Sequence, residues 1–128
     1  MTVTPLAPSH LNVAVLRGVL SRDPQLRTLP SGDRVGAFEV TVRQEGAATD
    51  TVPVSWVGVP ERALRLVAGT EVVVVGRVRR RFFRTPVGTG SRTELAAATV
   101  VRATQRTRVA GAIDEVVARL SAEDLPAR

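Results

Sequence analysis

The sequence predicts an all-β domain with one short helix inside the strand series and a second helix at its C-terminal end. Three observations point there. Over Arg34–Arg43, Phe38, Val40 and Val42 fall on one face and Glu39, Thr41 and Arg43 on the other, the period of a half-buried antiparallel strand. Apolar segments of strand length recur along the chain between clusters of Pro, Gly, Ser and Asp, which punctuate strands. Only the last stretch changes period. There Ile113, Val116, Val117 and Leu120 lie at helical spacing in a narrow apolar stripe.

The first strand is expected over Leu11–Leu20, where Leu11, Val13 and Val15 alternate and Gly18 marks a bulge or bend. A turn-rich loop follows, with Asp23–Pro24 and Pro30–Asp33. The second strand is the alternating Arg34–Arg43, and Gln44–Asp50 is a polar loop. Thr51–Gly58, with Trp56, makes the third strand. Pro60–Val67 is expected to be a short helix, since Pro suits the first helical turn and Leu64 and Val67 lie three apart. Ala68–Gly69 ends it. A long fourth strand runs from Glu71 to Arg84, Pro86–Gly90 forms a hairpin tip, and Arg92–Arg102 returns as the fifth strand with Leu95, Val100 and Val101 in the core. The closing helix covers Arg108–Ser121. Five strands with a helix between the third and fourth follow the order of a five-stranded Greek-key barrel of the OB type. The expected division is a flexible N-terminus over 1–10, the OB-fold domain over 11–104, and the C-terminal helix with a short tail over 105–128.

The 128 residues suffice for one domain with a core, and 44% hydrophobic content is that of a globular chain. Aromatics make up only 3%, so each one is informative. All 18 basic residues are Arg against 12 acids, for a net charge of +6. From Val109 onward two Arg face four acids, a charge of −2, which leaves 16 Arg against 8 acids, or +8, for the rest. A basic body of this kind suits a polyanionic partner.

Several function classes lack their residues. There is no Cys for a disulfide or thiolate site, and no Lys for a phosphate-binding P-loop. His10 is the single histidine and has no neighbouring carboxylate. Gly88-Thr89-Gly90 sits at a hairpin tip and not before a helix, so it is no dinucleotide fingerprint. The expectation is therefore no enzyme, no metal and no cofactor. Met1–Pro8 does not read as a secretory signal, and the longest apolar run, Val72–Val75, is far short of the ~20 residues a membrane helix needs. A cytoplasmic protein with no membrane partner is expected.

The informative segment is Gly76–Arg84. On an extended strand Arg77, Arg79, Arg81 and Phe83 share one face. Guanidinium groups pair with phosphate oxygens and stack on bases, and a Phe ring offers a platform to an unpaired base. A basic groove with such a platform is what sequence-tolerant binding of single strands uses.

Three stretches carry a resemblance to bacterial single-stranded DNA-binding proteins, in their short, Arg-rich actinobacterial form. Asn12-Val13 and Gly18–Arg27 resemble the family's opening strand and its Asp-Pro turn. Leu29–Gly32 followed by Val35–Phe38 resembles its Pro-Ser-Gly loop and second strand, and Gly69–Arg81 resembles its long fourth strand. Together they span about Asn12 to Arg102. The resemblance implies an OB-fold protomer that assembles as a homotetramer, with a dimer as the alternative. It implies binding of single-stranded DNA during replication, recombination or repair, alongside proteins of those processes. RNA is not separated from DNA, because stacking and phosphate contacts read both.

The nucleic-acid-binding residues expected on these grounds are Arg27, Arg43, Trp56, Arg77, Arg79, Arg81, Phe83 and Arg84. Trp56 and Phe83 fall at or near stacking positions of the family. Its two other aromatic positions fall near Glu45–Gly46 and Asp50 here, which predicts weaker stacking and more reliance on phosphate contacts. The family's acidic tail tip has only a faint echo in Ala122–Arg128, and a specialised paralogue is expected. The alternative reading is an OB-fold protein-interaction module, of the kind found in primosome accessory factors, with weak nucleic-acid binding.

Overall fold

The computed structural model describes residues 10–124. Six strands, β1 (Ala14–Leu20), β2 (Gln25–Thr28), β3 (Arg34–Val42), β4 (Asp50–Val57), β5 (Glu71–Thr85) and β6 (Gly88–Arg102), join two helices, α1 (Glu61–Leu64) and α2 (Arg106–Asp124). The sheet order is β1-β5-β6-β4-β3-β2, and β1 pairs with β3 as well. Five strands therefore close a ring of pairings, with β2 hanging on β3 outside it. All pairs are antiparallel except β4 with β6.

The ring depends on β1 serving two neighbours. Its first six residues pair with β5 from Ala14↔Gly76 to Val19↔Glu71, and its end pairs with β3 through Val19↔Thr41 and Leu20↔Val40. The crossing passes over Gly18, where a Cβ would lie 2.5 Å from the Thr41 carbonyl oxygen and 2.8 Å from Val40 Cγ1. Only Gly permits that approach.

Alternation sorts the side chains. Leu20, Phe38, Val40, Val54, Trp56, Val72, Val74, Leu95 and Val100 fill the ring, and Ala63 and Leu66 close one end of it. A second cluster forms outside, where Val73 and Val75 of β5 meet Val116 of α2, flanked by Val109, Ala112 and Ile113. Thus α2 docks on the sheet through positions 109, 112, 113 and 116. The expected stripe began one turn later, and its Val117 and Leu120 are exposed.

Three other expectations are corrected. The Asp23–Asp33 stretch contains a sixth strand: β2 pairs with β3 from Gln25↔Ala37 to Thr28↔Arg34. Its turn is closed by the Leu29 N–H donating to Asp33 O at 2.8 Å and the Gly32 N–H to Leu29 O at 2.8 Å. All four β2 residues are exposed, so burial left no pattern to read. The hairpin tip is only Pro86–Val87, with Thr85↔Gly88 already paired; Pro there fixes φ for the turn, and Gly88 takes a φ of +144°. Helix α1 is one turn instead of two. After it the chain must return to β1, where the Gly69 N–H donates to Leu20 O at 2.8 Å and the Leu20 N–H to Thr70 O at 2.9 Å.

Candidate nucleic-acid interface

The paired strands β5 and β6 outrun the rest of the sheet. Their ladder continues to Thr85↔Gly88, whereas β4 meets β6 only at Val54↔Leu95 and Ser55↔Ala96. The outer half is thus a two-stranded ribbon with one face turned over β4, β3 and β2. At its base, Asn12 extends the β1 pairing by its side chain: Asn12 Nδ2 donates to Val78 O at 2.6 Å and the Val78 N–H donates to Asn12 Oδ1 at 2.9 Å. One amide side chain occupies both backbone groups of Val78 and anchors the ribbon.

Arg79 and Arg81 sit opposite Glu94 and Arg92, and Phe83 sits opposite Gly90. A Cβ on Gly90 would lie 2.6 Å from Phe83 Cε2, so the ring lies across the backbone of its glycine partner. The ring remains 41% exposed. Beside it runs a groove of about 420 Å³ lined by Arg22, Gln25 and Arg27 near its outer edge, and by Arg81, Phe83 and Arg92 on the ribbon. Ala37, Glu39, Pro53 and Ser55 form part of its floor. Strand spacing of about 4.8 Å across β2, β3, β4 and the ribbon makes it wide enough for an extended chain.

Under the arginines lies Glu94, which the sequence reading passed over. Its side chain is only 1% exposed. Arg79 Nε donates to Glu94 Oε2 at 2.9 Å, with Arg79 Nη2 2.8 Å from the same oxygen, and Ser55 Oγ donates to it at 2.8 Å. Arg81 Nη1 and Arg92 Nε stand 3.9 and 3.8 Å from Oε1, beyond hydrogen-bonding reach. Burial pushes the Glu94 carboxyl up, but the Ser55 and Arg79 hydrogen bonds and the Arg79 and Arg81 charges outweigh it, so its pKa lies below the ordinary value. Glu94 consumes Arg79 and orders Arg81 and Arg92 without neutralising each of them. A signal for this existed in the sequence. With Pro86–Val87 as a two-residue turn, equal counting outward places Glu94 opposite Arg79.

The expected residues divide accordingly. Arg27, Arg81 and Phe83 meet in the groove. Arg77 and Arg79 share the same strand face further in, beside a recess of about 240 Å³ that also touches Arg119 of α2. Arg84 alternates to the opposite face of the ribbon with Phe82. Arg43 lies past the end of β3 and lines a different depression, together with β1 residues and Glu71.

Trp56 is corrected outright as a stacking platform. It is a core residue, 9% exposed, 6.5 Å from the Phe38 ring centroid and with the Arg62 guanidinium 5.6 Å over its face. Strand alternation explains this, because Trp56 shares the inward face of β4 with Val54 while Ser55 faces the groove. Arg22 and Arg92 are groove residues that the sequence reading missed. Arg92 becomes visible once its partner in the hairpin, Arg81, is known.

Among the described residues no group of three or more His, Asp and Glu is placed to hold a metal ion, and no helix is long and apolar enough to cross a membrane. The chain matches no model of a known protein family and no curated protein.

Proposed function

We propose that this chain is an OB-fold protein that binds single-stranded DNA without sequence preference, through the groove beneath the β5–β6 ribbon. The observation that carries the reading is the placement of Phe83, half-exposed, among Arg27, Arg81 and Arg92 in one groove. A stacking ring flanked by guanidinium groups grips base and phosphate together, and neither contact depends on sequence. The strand ring supports the fold assignment. Its order, with the parallel β4–β6 pair and α1 between β4 and β5, agrees with an OB-type arrangement to which β2 is added. The resemblance of Asn12–Arg102 to bacterial single-stranded DNA-binding proteins agrees with it; on this reading the chain assembles as a homo-oligomer and acts in the cytoplasm in replication or repair. No catalytic role enters this reading.

A second reading, a protein-interaction module, is favoured by the other face of the ribbon. There Phe82 is 67% exposed and Val87 at the tip 97%, apolar groups that a partner protein would cover.

The test is a titration of end-labelled oligo-dT, read by fluorescence anisotropy, at several salt concentrations. Salt-sensitive binding is expected. Its absence even at low salt would remove the nucleic-acid reading and leave the protein-interaction one.

A further inference from the structure

We propose that the corner where α1, the end of β6 and the start of α2 meet is a binding site for a phosphate group, distinct from the groove. Arg62 on α1, Arg102 ending β6 and Arg108 in the first turn of α2 line one recess of about 200 Å³ with Gln105, against Leu66 and Val100. No carboxylate lines it, and among the described residues none of the three guanidinium groups has an ion-pair partner. The groove is built differently: its Arg81 and Arg92 stand beside Glu94, which Arg79 also meets from further in, and its Arg22 faces Glu39. The two arginine clusters are roughly 30 Å apart along β6, from Arg92 to Arg102 at about 3.3 Å per residue.

Three cations lining one recess repel unless a counter-charge joins them. Arg62 is nevertheless held in place, with its guanidinium over the Trp56 ring and Nη1 3.4 Å from Val100 O, to which it donates. Burial first, and then the like charge of Arg108, lower the Arg62 pKa, the mark of a cation placed where it is uncompensated. The first turn of α2 adds to the field. It carries Arg106 and Arg108 and no acid, although the positive end of a helix dipole favours anions there. A tetrahedral oxyanion suits forks arriving from three elements, because it presents several oxygens where a carboxylate presents two. Phosphate is therefore the chemistry that completes the site, whether as the free ion or as a phosphodiester of a nucleic acid.

Binding to the folded state alone raises its stability in a saturable way. Melting temperatures of the wild type, Arg108→Gln and Arg62→Gln are to be compared in chloride and in inorganic phosphate at matched ionic strength. Phosphate at about ten times its Kd should raise the wild-type Tm by about 4–8 °C. Arg108 is exposed, so Arg108→Gln should fold, melt in chloride no lower than the wild type, and lose most of the phosphate shift. Arg62→Gln should lose the shift too, with a lower Tm in chloride because Trp56 is uncovered. No shift in the wild type, or the same shift in Arg108→Gln, overturns the site. Given the shift, long and short oligo-dT identify its natural source. A shallower salt dependence in Arg108→Gln for the long oligonucleotide alone assigns a phosphodiester; no difference for either assigns free phosphate. The site does not rest on the groove reading. A chain that ignores oligo-dT but gains stability from phosphate through Arg108 would retain it.

Discussion

At the scale of single residues, adjacent identical side chains have different surroundings. Phe82 and Phe83 are neighbours, yet strand alternation sends Phe83 across Gly90 into the groove and Phe82 to the far face. Phe83→Ala should weaken oligo-dT binding by about 1–3 kcal/mol, the range for one stacked base, with little change in Tm because the ring is 41% exposed and lies outside both core clusters. Phe82→Ala should leave binding as it is. Equal effects of the two, measured by anisotropy, would dissolve the platform assignment.

Glu94 is the other residue that decides something by itself. Its ionised form accepts from Ser55 and Arg79 in a nearly solvent-free position, and its pKa is depressed in the fold. A carboxylate whose folded pKa lies below its unfolded one contributes stability at neutral pH, and loses that contribution as pH falls through the lowered value. The wild type should therefore lose Tm below about pH 4.5, the unperturbed glutamate range, more steeply than Glu94→Gln does. At neutral pH Glu94→Gln should cost about 2 kcal/mol, within the range for hydrogen bonds to charged groups and moderated by the partial exposure of Arg79. Parallel acid profiles of the two proteins in thermal melts would show that Glu94 does not set this dependence.

At the scale of elements, the β5–β6 ribbon sets which arginines are available. Arg79 and Arg81 looked equivalent as alternate positions of one strand. Cross-strand pairing separates them, since Arg79 is opposite Glu94 and spends its N–H groups there, while Arg81 is opposite Arg92 and stands off. Arg81→Ala combined with Arg92→Ala should reduce the slope of log K against log salt by about 1.4, at ~0.7 per phosphate contact on a single strand. Arg79→Ala should leave that slope nearly unchanged and instead lower Tm, because it strips a buried carboxylate of its partner. A slope that falls as far in Arg79→Ala as in the double variant would mean that Glu94 releases Arg79 on binding. The hairpin was legible as a hairpin, but its register was not. The register turns on whether the tip holds two residues or five, and that choice decides which side chains meet.

At the scale of the whole molecule, two arginine clusters of three lie toward opposite ends of β6, one ordered around a buried carboxylate and one without a counter-charge among the described residues. A net charge of +6 describes neither. The β content, the helix between two strands, the closing helix and the Arg77–Phe83 face follow from the sequence by itself, because they rest on local periodicity, and period two or 3.6 is written in neighbouring residues. The ring closure through Gly18, the burial of Trp56, the docking of α2 through Val116 and the burial of Glu94 among arginines belong to the tertiary structure alone. Each depends on contacts between residues far apart in the chain. Alternation tells that two side chains share a face, but only the packing of the remaining strands decides whether that face meets solvent, the core or a charge.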